Sequence, residues 1–167
     1  MHRDHAMQQT VYVETTIPSF YYEIREEPEM IARRDWTRKW WTFARQRQDL
    51  VTSPAVINEL EQGNYPSRAE CLELMEPLPL LAIDVDVMDI VQTYIDRQVM
   101  PADPAGDAMH LALASYHRCD FLVTWNCRHL ANASKFGHIR LVNTALGLFV
   151  PTLVTPLELL AEDDDED

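Results

Sequence analysis

Short apolar runs of strand character recur along this chain, each followed by a stretch of helix length with its own start signal. Residues 11–13 (VYV) are β-branched and aromatic, and a threonine pair and Pro18 open a short helix after them. A longer helix reads from 29 to 47, with Ile31, Trp36, Trp40 and Phe43 on one face. The segment LVTSPAVINELEQG is a compact strand-to-helix unit: 50–52 extended, Ser53 as N-cap, Pro54 at the first helical position and Gly63 as terminator. A helix over 68–75 leads to a further apolar strand, LPLLAID, whose Asp84 caps a helix over 85–97. Asp103 and Pro104 start the next helix, which runs to about 117. DFLVTW then has the character of a central strand; a helical stretch over 133–146, a last strand at 152–154 and a terminal helix follow. Strands that alternate with helices build βαβ units, so the expected fold is an α/β domain, a three-layer α/β/α sandwich around a mainly parallel sheet.

At 167 residues the chain suits one domain with a core that needs neither metal nor disulfide to hold it. The expected divisions are a flexible segment over 1–10, the domain over 11–161 and an acidic, disordered tail over 162–167. Cys71, Cys119 and Cys127 are odd in number and irregular in spacing, which speaks against a disulfide framework. With no apolar signal region and no long uncharged run, the chain reads as cytoplasmic, without a membrane segment. The net charge is −13, and outside the acidic run 14 cations still face 21 anions. Bulk charge therefore gives no attraction for nucleic acid. Six of the cations, Arg33, Arg34, Arg38, Lys39, Arg45 and Arg47, share one segment, readable as a guide for an anionic backbone or as a solvated face.

Ligands of open parallel sheets bind beyond the carboxyl ends of the strands. Glu14 stands at such an end, directly after 11–13, and Asn126 lies two residues beyond Thr124, which closes FLVT. Glu59 and Asp107 lie on helices, five residues after Pro54 and in the first turn after Pro104. Gathered at one sheet edge, these side chains offer the hard oxygen donors that Mg²⁺ or Mn²⁺ takes. Taken singly, Glu59 reads as a surface acid, Asp107 as a complement to its helix dipole and Asn126 as a turn former. Glu14 is harder to explain away, because a carboxylate beside a buried strand needs a partner.

In order, VYVETTIPSFYYE, TSPAVINELEQG, DPAGDAMHLALA and FLVTWNCRHLAN resemble the four signature segments of PIN-domain proteins, the bacterial VapC-like group above all. The resemblance spans residues 11–160. It implies a metal-dependent endoribonuclease acting on RNA with Mg²⁺ or Mn²⁺, a small antitoxin protein as partner and a homodimer. It assigns Glu14, Glu59, Asp107 and Asn126 as catalytic metal ligands, with Thr124 matching the family's hydroxyl residue; His110, three residues after Asp107 on the same helix face, reads as a support behind them or, more simply, as a structural histidine of that helix. Glu14 and Asn126 each stand where the family usually has Asp, so one ligand is longer by a methylene and another has no charge. Glu59 or Asp107 would accept the proton of the attacking water.

Two other patterns compete for attention. His117, Cys119, Cys127 and His129 look like a zinc array, but a strand over 120–125 holds the two cysteines roughly 26 Å apart. LLAIDVDVM resembles the Asp-x-Asp start of a haloacid-dehalogenase-type phosphatase, although Asp84 already serves as a cap. The rival function is a PIN-like protein of little or no activity that works through protein contacts.

Overall fold

The structure, a computed structural model, describes residues 8–102 and 106–164, the last four by backbone alone. Among the described residues, four strands form one all-parallel sheet: β1 (Thr10–Val13), β2 (Asp49–Val51), β3 (Phe121–Val123) and β4 (Thr152–Val154), in the order β2-β1-β3-β4. Tyr12 lies opposite Val51 on one side and Leu122 on the other. Val11, Tyr12 and Val13 are fully buried, as are Leu122 and Val123, which is why these runs show no polar alternation: both faces of a central parallel strand are covered.

Helices α1 (Thr16–Tyr21) and α2 (Pro28–Arg47) connect β1 to β2. Between β2 and β3 come α3 (Pro54–Glu61), α4 (Arg68–Met75), α5 (Val85–Asp96) and α6 (Gly106–Tyr116). A 3₁₀ turn (Ala133–Lys135) and α7 (Phe136–Ala145) lead to β4, and α8 (Pro156–Asp164) follows it. From β1 the chain first moves outward to β2 and later crosses to β3 and β4 on the other side. With right-handed crossovers, those opposite directions put α1 and α2 on one face and the helices before β3 and β4 on the other. The result is the three-layer α/β/α sandwich, and the reversal makes the gap between β1 and β3 a topological switch point.

The caps at Ser53 and Asp84 are both formed: Ser53 Oγ accepts from Val56 N and Asp84 Oδ1 from Val87 N at 3.1 Å. Pro54 opens α3, and Gly63 takes φ +81° just past its end, where a side chain would be strained. Asp84 is thus a helix cap, with no strand before it to present a phosphatase site. The expected strand LPLLAID is absent. Only Leu80 bridges Thr52, and it is 55% exposed. Pro77 and Pro79 remove amide donors from that segment, so no ladder can extend.

The inner face of α2 also differs from expectation. Of Ile31, Trp36, Trp40 and Phe43 only Trp40 is fully buried; the seam is Thr37, Trp40, Trp41 and Ala44. Trp36 stacks on Trp125 instead, and the Arg47 guanidinium covers the Phe43 ring at 3.9 Å. At the chain ends, Thr10 already belongs to β1, and α8 runs on to Asp164 inside the acidic stretch. The cap and helix start at Asp103 and Pro104 lie outside the described residues, as do residues 1–7 and 165–167. No helix among the described residues is long and apolar enough to cross a membrane.

Candidate metal and phosphate site

Glu14 continues β1 by one residue, its N–H donating to Val123 O at 3.3 Å. The side chain, in a residue only 4% exposed, turns toward the switch point. Its Oε1 accepts from Thr16 N at 3.0 Å, from Thr16 Oγ1 and from Thr124 Oγ1 at 2.7 Å. Both hydroxyls are themselves fixed from β3's exit: Thr16 Oγ1 accepts from Trp125 N at 2.8 Å, and Thr124 Oγ1 from Asn126 N at 2.9 Å. Burial raises the Glu14 pKa, and the charge of His110 together with the bonds from Thr16 and Thr124 only partly offsets it.

Asn126 carries the chain of contacts on to α6, its Nδ2 donating to Asp107 Oδ1 at 3.0 Å. Asp107 is in the first turn of α6 and 8% exposed. The Asn126 oxygen faces elsewhere, accepting from Arg128 N at 3.2 Å and His129 N at 3.0 Å. Those two backbone donors fix the amide's orientation, so Asn126 meets the acids with an N–H and not with the lone pair a metal ligand needs.

Glu59, on α3, reaches the same region by a different route. Its Oε2 accepts from Thr15 Oγ1 at 3.0 Å, and its Oε1 lies 2.7 Å from His110 Nε2. At that distance the two form an ion pair whose attraction grows with the charge on the imidazole. Burial would push the His110 pKa down, but Glu59, Glu14 and Asp107 together drive it up. Glu59 moves the opposite way: its own burial is outweighed by His110 and Thr15, and its pKa falls. On the other side of the ring, His110 Nδ1 and Tyr12 Oη lie 2.7 Å apart, and Tyr12 Oη and Ser53 Oγ 2.8 Å. His110 thus joins β1, α3 and α6 through one buried ring, 1% exposed.

The site draws on residues that sequence reading passed over. Thr15 and Thr16 were visible only as a helix start, and Tyr12 and Ser53 only as strand and cap. Gly106 is another: a Cβ there would lie 3.1 Å from Glu59 Oε1, so its bare backbone leaves room for the carboxylate at the head of α6.

The carboxylate oxygens of Glu14, Glu59 and Asp107 are hard donors, and three acids beside one histidine leave a negative surplus that a divalent cation suits. In kind and charge the set fits Mg²⁺ or Mn²⁺. Among the described residues, however, no three His, Cys, Asp or Glu side chains are drawn around a common point. Glu59, its side chain 37% exposed, has the freedom to turn from His110 toward such a point. The zinc array does not form either: Cys119 is buried before β3 and Cys127 exposed beyond it. A groove of about 850 Å³, lined by Thr10, Trp41, Arg45 and Asp49, lies at the amino ends of β1 and β2, away from the acids. Compared with known proteins, the chain matches no family model and no curated protein.

Proposed function

We propose that this chain is a divalent-metal-dependent endoribonuclease of the PIN-domain, VapC-like kind, acting on RNA as the toxin of a toxin–antitoxin pair. One observation carries the reading: a continuous run of hydrogen bonds, Glu14–Thr124–Asn126–Asp107, crosses the switch point between β1 and β3, and Glu59 sits against His110 of the same helix as Asp107. Acids from three separated segments lie beside the switch point where parallel sheets bind ligands, linked through Thr124, Asn126 and His110 and not gathered on one point.

Glu14, Asp107 and Glu59 would hold Mg²⁺ or Mn²⁺. When bound, the ion supplies a polarised phosphate oxygen and a water of lowered pKa. Thr16 and Thr124 aim the Glu14 carboxylate. Asn126 holds Asp107 and contributes no ligand oxygen, a narrower role than the family resemblance implies. Glu59, kept ionised by His110 and open to solvent on one side, accepts the water proton. The antitoxin partner and the homodimer rest on the resemblance alone.

A second reading has its own support. The Asn126 oxygen is already engaged and the three carboxylates are not gathered, as expected of a PIN-like protein that works only by protein contacts. Incubation of a mixed RNA pool with Mn²⁺ or Mg²⁺ separates the two. Cleavage by the native chain, lost in Asp107→Ala and Glu59→Gln, is the expected result; no metal-dependent difference among the three ends the nuclease reading.

A further inference from the structure

The six cations of α2 do not form one surface. The helix runs back along the sheet, so Arg33 and Trp36 lie near the carboxyl edge and Arg45 about 18 Å away toward the other, where it lines the groove beside Asp49. Arg34 pairs with Asp35 at 3.2 Å, and Arg38 donates to Tyr21 O at 2.7 Å. Arg33 alone among them reaches the candidate site. Its guanidinium lies 5.1 Å from the Trp125 ring centroid and 5.5 Å from that of Phe20. Trp125 is the residue between Thr124 and Asn126, and its Nε1 donates to Thr37 Oγ1 at 2.7 Å, so the platform under Arg33 is fixed. Burial raises the pKa of Cys127, one residue beyond Asn126, and the charge of Arg33 acts there against it and against Glu158 and Glu29.

Directly after Cys127 in the chain comes Arg128. Its backbone N–H is held by Asn126 Oδ1, while its side chain is exposed and has no partner among the described residues. We propose that Arg33 and Arg128 form a phosphate-contacting rim that lays the backbone of a single-stranded RNA across the turn at 125–128, beside the acids. The inference deepens the nuclease reading and rests on it for the choice of ligand.

Three physical points favour that role. A guanidinium matches phosphate bidentately and keeps its charge at any working pH. Stacking on aromatic rings fixes Arg33 before the ligand arrives, so little rotamer freedom is lost on binding. Its present anion, Glu29 at 2.9 Å, is 67% exposed and one helical turn away; such surface pairs are weak and exchange readily for phosphate.

The test is fluorescence anisotropy of a 5′-labelled single-stranded RNA with the full chain, Ca²⁺ replacing Mn²⁺, between 50 and about 300 mM KCl. A phosphate contact on single strands adds about 0.7 to the salt slope, hence roughly fivefold in affinity near 0.1 M salt. Arg33→Gln and Arg128→Gln are each expected to lose about that much in slope and affinity, while Arg45→Gln binds like the native chain. Native affinity and slope in both rim variants, an equal loss in Arg45→Gln, or no binding by the native chain overturns the proposal. Arg128→Gln touches no packing, so it keeps the test open if Arg33→Gln loosens the aromatic cage. Cleavage of the same RNA by the native chain with Mn²⁺ is scored separately. The expected binding pattern without cleavage leaves the rim standing and removes the nuclease.

Discussion

Thr124→Val is the substitution that most directly probes the joint of the site. Valine keeps the volume of a fully buried side chain and removes one oxygen. That oxygen does two things: it donates to the Glu14 carboxylate at 2.7 Å and accepts from Asn126 N at 2.9 Å. A hydrogen bond to a charged group contributes about 1.5–3 kcal/mol, and a partly buried N–H left without an acceptor costs about 1 kcal/mol or more. The expected loss is therefore about 2–4 kcal/mol, or about 5–15 °C in Tm for a chain of this length. Urea denaturation at pH 8 with EDTA present measures it free of any metal contribution, and an unchanged m-value shows that the denatured state is not the cause. A double-mutant cycle with Glu14→Gln isolates the bond itself, with an expected coupling of about 1 kcal/mol or more. A Thr124→Val chain within about 0.5 kcal/mol of native, with no coupling to Glu14, would refute the argument that this hydroxyl links the two halves of the site.

Gly106→Ala places a methyl 3.1 Å from Glu59 Oε1; it is expected to leave Tm within about 2 °C while weakening Mn²⁺ binding by calorimetry, since the mobile end of Glu59 moves instead of the backbone. The tryptophans should respond unequally: Trp40 Nε1 is buried without a partner among the described residues whereas Trp125 Nε1 donates to Thr37 Oγ1, so Trp125→Phe should cost about 1–3 kcal/mol more than Trp40→Phe in urea denaturation. Stability without metal should fall as pH rises. His110, faced by Glu14, Glu59, Asp107 and Tyr12, has a pKa raised above its ordinary 6.5, so its contribution is complete below 6.5 and is lost as pH passes the raised value. Glu14, raised from 4.5, acts in the same sense at lower pH. Half-exposed Glu59, lowered from 4.5, acts weakly in the other, losing its contribution in acid. Urea midpoints from pH 5 to 9 for the native chain and His110→Gln check this; an equal alkaline decline in both would exclude His110 as its source.

Local chemistry made much of this fold readable. Ser53, Pro54 and Asp84 act within three residues of themselves, so their roles need no tertiary knowledge, and a run such as VYV declares burial on both faces. LPLLAID misled because hydropathy carries no record of the amide donors that Pro77 and Pro79 lack. The face of α2 was misjudged for a different reason: Trp36 and Phe43 find partners in Trp125 and Arg47, which lie outside any periodic pattern. In the site, the residue types at Glu14, Glu59, Asp107 and Asn126 were legible. Their partners were not, because Thr16 to Trp125 and Tyr12 to His110 are contacts between segments about a hundred positions apart. The direction in which Asn126 presents its amide was equally hidden, since it is set by the two backbone N–H groups that follow.

On the proposed function, RNA would meet repulsion at the acidic edge of the sheet, and the arrangement of charge separates that problem into two parts. At the centre, buried His110, its pKa raised by Glu59, Glu14 and Asp107, offsets part of the carboxylate charge from inside the protein. A divalent ion at the proposed site would offset more of it. At the margin, the Arg33 guanidinium over Trp125 and the exposed Arg128 side chain would, on the proposed reading, meet a phosphate crossing the turn. On that reading the rest of the negative surface would serve specificity more than affinity, since a strand straying from the rim would meet repulsion within a Debye length of about 8 Å at physiological salt. The net charge of −13 is therefore compatible with an RNA substrate held at few contacts, and it calls for a shallow salt dependence, close to two phosphates' worth, in place of the steep one expected of a basic nucleic-acid binder.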